Sequence, residues 1–374
     1  MKHSLYAISA AAVMTLALAG CGKEDAGTAA SAATPSKSEE TFRFRYATPI
    51  AQGSLSGKAA DWFATEVRKR SDGRVVFENY HGGSLLPPAD MLPGLKAGTL
   101  AGAYVTPAYW PQSLPLYDIT STGLLTSDGV AVAQTVHKLQ SENAHFSTEL
   151  EKQGIKLLFP FFGSIAALGT VKPADGLSDI AKMRLRGAGR SGEAYTLAGS
   201  EIVAVPAPEI YEQIQRGVLD GFALWPYDII TAPKLQEVTK HITDTGMGMY
   251  AHASFAISLS AWQRLPDDLK NVVTEVANEY VEKHGPGELV KEEAAQCEQL
   301  RAAGVSLNVW TEEEQKKFAD LAKDKQIESW RKGGLSNGHS GETLDAFYSA
   351  YMTTYQEFAA ASGYQSPIRV CSGK

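Results

Sequence analysis

The chain has 374 residues, with 35 Lys plus Arg against 42 Asp plus Glu and a net charge of -7. That length calls for more than one packed lobe, and an acidic balance spread along the sequence excludes a nucleic-acid duplex as the main partner, because neutralising phosphates needs a cationic face. Three cysteines without CxxC spacing exclude a disulfide scaffold and a zinc knuckle.

Residues 1–20 read as an export signal: Lys2, an apolar run over 5–18, then Leu18-Ala19-Gly20-Cys21. Small residues directly before a cysteine resemble the lipobox of bacterial lipoproteins, which makes Cys21 the expected site of lipidation and of anchoring to a membrane. Residues 21–40 are small, polar and aperiodic, as a flexible tether is. In an exported compartment Cys297 and Cys371 become candidates for a disulfide that fastens the C-terminal tail to a helix.

From residue 42 the alternation Phe-Arg-Phe-Arg-Tyr predicts a strand, followed by a polar loop over 48–56 and a helix with Ala59, Trp62, Phe63 and Val67 on one face. Further strands are predicted at 75–80, 101–105, 155–159, 183–186, 202–205 and 221–225, with helices at 88–97 and 208–216 between them. Such alternation predicts an α/β fold with largely parallel sheets in two lobes. Beyond 265 the pattern turns helical, with an expected break at Gly285-Pro286-Gly287. A capping box starts a helix at Thr311-Glu312-Glu313-Glu314, and that helix is expected to end near Trp330. The aromatic stripe Phe347, Tyr348, Tyr351, Tyr355 and Phe358 is read as a docking face of a last helix rather than a ligand box.

Gly187-Ala188-Gly189-Arg190-Ser191-Gly192 matches GxGxxG, with Glu209 at a spacing suited to a ribose. The preceding strand carries Lys182, Arg184 and Arg186 where a dinucleotide fold needs an apolar one, so no nucleotide cofactor is expected. There is no HExxH, EF-hand or GxSxG pattern. Metal catalysis and a serine nucleophile therefore have no support, and no enzyme activity is expected.

Residues 205–221, Val-Pro-Ala-Pro-Glu-Ile-Tyr-Glu-Gln-Ile-Gln-Arg-Gly-Val-Leu-Asp-Gly, resemble the "EvYxalqrGvvDG" signature of the solute-binding proteins of tripartite ATP-independent periplasmic (TRAP) transporters. Residues 179–186 resemble the "dlkGlkiR" element of that family, and Asp72-Gly73-Arg74, Gly83-Ser84-Leu85 and 265–269 add support over about 42–330. The resemblance implies a periplasmic-binding-protein-like fold: two α/β lobes with a ligand cleft between them, a long connecting helix and a helical C-terminal segment. In those terms 41–165 is the first lobe, 166–249 the second, 250–310 the return to the first lobe with the long helix, and 311–374 the C-terminal helices. Arg186 falls on the family arginine that holds a ligand carboxylate in a bidentate salt bridge, which suits a planar guanidinium.

Two departures qualify the ligand. Where many relatives carry a second arginine, 163–168 contain no cation, so a dicarboxylate gripped at both ends is not expected; and Ala207 leaves room where an aromatic is common. A monocarboxylate follows, aromatic or a 2-oxo or hydroxy acid, with Trp225, Tyr227, Phe161, Phe162 and Tyr109 as candidate walls and Gln52 and Ser54 as polar contacts from the other lobe. The implied partners are the small acid, the TRAP permease subunits and the membrane. An exported enzyme acting on a carboxylate, or a ligand-reporting subunit of a sensor, are the alternative readings.

Overall fold

A computed structural model describes residues 40–187, 189–205, 209–250 and 252–373. The export signal, Cys21 and the tether therefore lie outside the described residues, as does Ala207. Among the described residues eleven strands form two sheets: β1 (Phe42–Ala47), β2 (Val75–Tyr80), β3 (Gly102–Val105), β4 (Ile155–Pro160), β5 (Ala166–Thr170), β6 (Arg184–Arg186), β7 (Glu201–Val203), β8 (Gly221–Pro226), β9 (His241–Asp244), β10 (Ser254–Ser258) and β11 (Ser306–Val309). The first sheet runs β2-β1-β3-β10-β4 and the second β11-β9-β5-β8-β6-β7.

Both sheets are mixed rather than largely parallel. β10 runs antiparallel to β3 and β4, and β5 antiparallel to β8 and β9. The reason is the path of the chain, which leaves the first sheet after β4, builds the second, and re-enters the first through β10. The two crossing segments, 161–165 and 245–253, lie side by side: Phe161 N–H donates to the Ala253 carbonyl at 2.8 Å and Ala166 N–H to the Gly248 carbonyl at 2.8 Å. A third crossing follows the long helix, because β11 pairs with β9 and so belongs to the second sheet, not to the return segment of the first lobe.

The first sheet is buried on both faces. Phe44, Phe63, Phe77, Phe159 and Phe255 make an aromatic core under the helix Leu55–Arg70, and Leu92, Leu95, Leu139 and Phe347 fill the other face. Phe347 and Tyr351, from the predicted stripe, are core residues on the helix Gly341–Ser362, whose Tyr355 hydroxyl accepts from the backbone of Ser127 and Asp128.

Gly285-Pro286-Gly287 does not break the helix. Asp267–Glu279 continues through a π turn at Tyr280–His284 into Gly285–Ala302. Pro286 sits in the first turn after the wide one, where the hydrogen-bond register shifts and its missing N–H does least harm. Gly285 is there for contact: a Cβ on it would fall 2.2 Å from the Phe162 ring. The next helix, Glu312–Ser336, likewise runs on through Gly333 and Gly334. Thr311 caps it by accepting from Glu314 N–H, but the Glu314 carboxylate reaches away to Leu177 N–H at 3.0 Å, so the box is only half closed.

Cys297, on the long helix, and Cys371, on the terminal helix Pro367–Ser372, form a disulfide with Cα atoms 5.7 Å apart. Hydroxyls of the same C-terminal strap bond three acids: Ser362 to Asp128, Tyr364 to Glu293 at 2.6 Å, and Ser366 to Asp244 at 2.6 Å.

Candidate functional site

The crossing segments and the edges of both sheets enclose a cavity of about 140 Å³. It is lined by Tyr104 from β3, Phe161, Phe162 and Ser164 from the first crossing, Asp228 after β8, Tyr250 and His252 from the second crossing, and Ser54 at the start of the first helix. Its walls are aromatic: Tyr104 stacks on Phe161 with centroids 5.5 Å apart, and Phe162 packs edge-on against Tyr280. Ser54 caps its helix, accepting from Gly57 N–H while its hydroxyl donates to the Ala51 carbonyl.

Arg186 ends β6; neither it nor Trp225 is among the residues that line this cavity, and its link to the cavity runs through Tyr250. Its Nε donates to the Val205 carbonyl at 3.2 Å, its guanidinium lies over the Trp225 ring at 5.4 Å, and it interacts electrostatically with Tyr250 on the cavity wall. Partial burial lowers its pKa from the usual arginine value. Its two cationic neighbours in sequence are paired, Arg184 with Asp220 through Nε and Nη2, and Arg190 with the buried Asp118. Among the described residues no carboxylate pairs with Arg186, so with Nε given to Val205 a half-buried guanidinium retains its Nη1–Nη2 edge of donors with no anion.

Trp225 owes its position to a bulge. β8 places Trp225 opposite Ala167 and Phe222 opposite Gly169, so Ala223 and Leu224 together face the single residue Leu168. The inserted residue, Leu224, takes φ +61°, left-handed and uncommon for a leucine. Ala223 and Leu224 consequently pack on one face of the sheet while Phe222 and Trp225 share the other. The indole Nε1 donates to the Ile229 carbonyl at 3.3 Å, which fixes the ring under Arg186.

Of the other residues singled out in the sequence, Phe161, Phe162 and Ser54 line the cavity. Tyr109 is half-exposed on a short 3-10 turn, edge-on to Trp110, and interacts electrostatically with Tyr104 and Tyr250. Gln52 does not line the cavity; its amide donates to Asp61 at 2.8 Å. Nor does Tyr227, which is fully buried in the core of the second lobe, near Glu293 and Arg301. Tyr104, Asp228, Tyr250 and His252 escaped notice. The one available signal was the Tyr250-x-His252 spacing, and both residues line the cavity. Burial raises the Asp228 carboxyl to about 6 and pushes the His252 imidazole down to about 4.

A larger cavity, of about 520 Å³, lies between the long helix and the C-terminal strap. Its polar groups are already engaged: Glu293 with Ser164 and Tyr364, and Arg301 with the Cys371 carbonyl. It is a largely apolar hollow whose charged groups Glu293 and Arg301 are committed to the protein.

Residues 46–332 match the family of bacterial extracellular solute-binding proteins, family 7 (DctP). A solute-binding protein of Albidiferax ferrireducens is 26% identical over 294 residues, 77% of this chain and 84% of that one. Among solved structures, a TRAP solute-binding protein from a marine metagenome, specific for aromatic acid ligands and bound to 3-hydroxybenzoate, superimposes with a TM-score of 0.73 at 18% identity. It covers 85% of this chain and 99% of that one. A TRAP solute-binding protein from Rhodoferax ferrireducens with copurified benzoate gives 0.71 at 19% identity, over 85% and 100% of the two chains.

Proposed function

Because the chain belongs to the bacterial extracellular solute-binding proteins of family 7, we propose that it captures a small organic monocarboxylate between its lobes and delivers it to the membrane subunits of a TRAP transporter. The observation that carries this reading is Arg186, an arginine with no carboxylate partner among the described residues, between two paired ones and in contact electrostatically with Tyr250 of an aromatic cavity. A carboxylate there completes a bidentate ion pair in a site poor in water, where charge-assisted hydrogen bonds are strongest. The stacked Tyr104–Phe161 pair gives the rest of the ligand an apolar bed, with Trp225 supporting Arg186 from below, which favours an aromatic or branched acid over a dicarboxylate. Aromatic acids bound to the structural neighbours are consistent with that preference. Closure around the acid then shifts the population toward a form the permease reads.

Export and attachment through Cys21 belong to the same proposal, supported by the leader sequence. Cys21→Ser releasing the protein from the membrane fraction is the expected result; retention there would reject the anchor. For the site, Arg186→Ala is expected to weaken monocarboxylate binding by about 2 to 5 kcal/mol in calorimetry while the melting curve of the free protein is preserved. Unchanged affinity would remove Arg186 from the site.

A further inference from the structure

His252 is buried, 4% exposed, on the wall of the interlobe cavity, and among the described residues neither ring nitrogen has a hydrogen-bond partner. A buried polar group left unmade costs free energy comparable to a lost hydrogen bond, so a residue that lines the cavity while both of its ring nitrogens are buried without a partner among the described residues calls for one from outside the chain. The neighbouring polar groups on the wall do not supply one. Ser164 is committed to Glu293 and Asp228, and Asp228 to the Ser164 backbone at 3.4 Å.

Burial keeps the imidazole neutral over the physiological range. A neutral ring has one N–H and one lone-pair nitrogen. The Phe161 backbone carbonyl faces the ring without reaching hydrogen-bond geometry, and draws the N–H tautomer toward itself. The remaining nitrogen is an acceptor, and what it lacks is a donor.

We propose that His252 is a specificity-determining residue of the cleft: its free nitrogen accepts a hydrogen bond from a hydroxyl group on the bound acid, so that the protein selects hydroxy-substituted monocarboxylates over their unsubstituted counterparts. This rests on the carboxylate reading of Arg186 and deepens it. Arg186 holds the carboxylate that all such acids share, and His252 reads the one group that separates them. Where a site is built to bond a hydroxyl, an analogue lacking it leaves a buried group unpaired, and discrimination is correspondingly large.

Matched pairs differing by one hydroxyl test this by calorimetry on the mature protein: mandelate and phenylacetate, 3-hydroxybenzoate and benzoate, lactate and propionate. For at least one pair the hydroxylated acid should bind the wild type about 10-fold or more tighter, a margin of one good hydrogen bond. In His252→Leu that preference should fall to within about 2-fold, chiefly by loss of affinity for the hydroxylated member, whereas Arg186→Ala should weaken both members together. His252→Gln, which can still accept a hydrogen bond, should retain part of the preference and covers the case in which the leucine variant does not fold. Equal binding of both members in every pair, or a preference that survives His252→Leu, would overturn the histidine assignment while leaving the carboxylate reading standing. Failure of every acid to bind would overturn both.

Discussion

The cleft and the surroundings of the C-terminal strap both carry buried ionisable side chains, and use them to opposite ends. Around the C-terminal strap each acid is answered: Glu293 Oε1 accepts from both Ser164 and Tyr364 at 2.6 Å, Asp128 holds Ala131 N–H and Ser362, and Asp244 holds Gly246 N–H and Ser366. In the cleft, among the described residues, Arg186 has no anion and His252 no hydrogen-bond partner. A closed hydrogen-bond account marks a part that holds the molecule together, and an open one marks where something else is to bind. Mutations on the two sides should therefore separate into stability effects and affinity effects.

The sharpest test of that separation is the disulfide. Cys297 and Cys371 are 74 residues apart, and opening a loop of that size by Cys297→Ser with Cys371→Ser is expected to cost about 4 kcal/mol of unfolding free energy. Denaturant melts should record the loss, with ligand affinity at a temperature where the protein is still folded changed less than about 3-fold. A comparable loss of affinity would show that the strap shapes the cleft, and would break the comparison.

Glu293 gives an effect that depends on pH. Burial raises its carboxyl to about 8, against 4.5 for the free side chain. The folded state then keeps a proton that the unfolded chain releases, so stability falls as pH rises between about 4.5 and 8. Glu293→Gln preserves an acceptor for Ser164 and Tyr364 and removes the titration. It should flatten that dependence and stabilise the protein at pH 8 by up to a few kcal/mol. Melting temperatures with the same slope in both proteins would place the titration elsewhere.

Gly285→Ala puts a methyl against Phe162, a side chain shared by the hinge helix and the cavity wall. Overpacking of that kind costs about 1 to 3 kcal/mol, and because Phe162 must move, this is the one substitution on the helix expected to lower affinity as well as melting temperature. Trp225→Phe narrows the π face beneath Arg186 and should weaken binding by about 1 kcal/mol with the ion pair intact. Full affinity in that variant would mean that the indole is packing alone.

The legible parts of this molecule were those with a long pattern. The strands at 42–46, 75–80 and 155–159 announced themselves by alternation or continuous apolar runs, and Arg186 by its place at the end of a cationic strand within an extended family signature. β5, with Ala166, Ala167 and Gly169, is small-residue backbone buried on both faces, and carries no periodicity to read. Its antiparallel pairing, which makes the second sheet mixed, was hidden with it. Tyr227 sits two positions from Trp225, but the chain leaves β8 at Pro226 into a 3-10 turn, and the phenol goes to the core instead of the cavity. His252 had only its spacing from Tyr250. Its meaning comes from the absence of partners after folding, which no linear pattern encodes.

Leu224 has a consequence of another kind. Its left-handed backbone is a standing cost to the fold, since a branched side chain at φ +61° is disfavoured where glycine is at ease. Glycine at 224 would relieve the cost and surrender a buried side chain and the stiffness that holds the neighbouring indole in place. An effort to make this protein more heat-resistant by idealising its backbone would meet this position early, and an improvement found there would be drawn from the rigidity of the indole beneath Arg186.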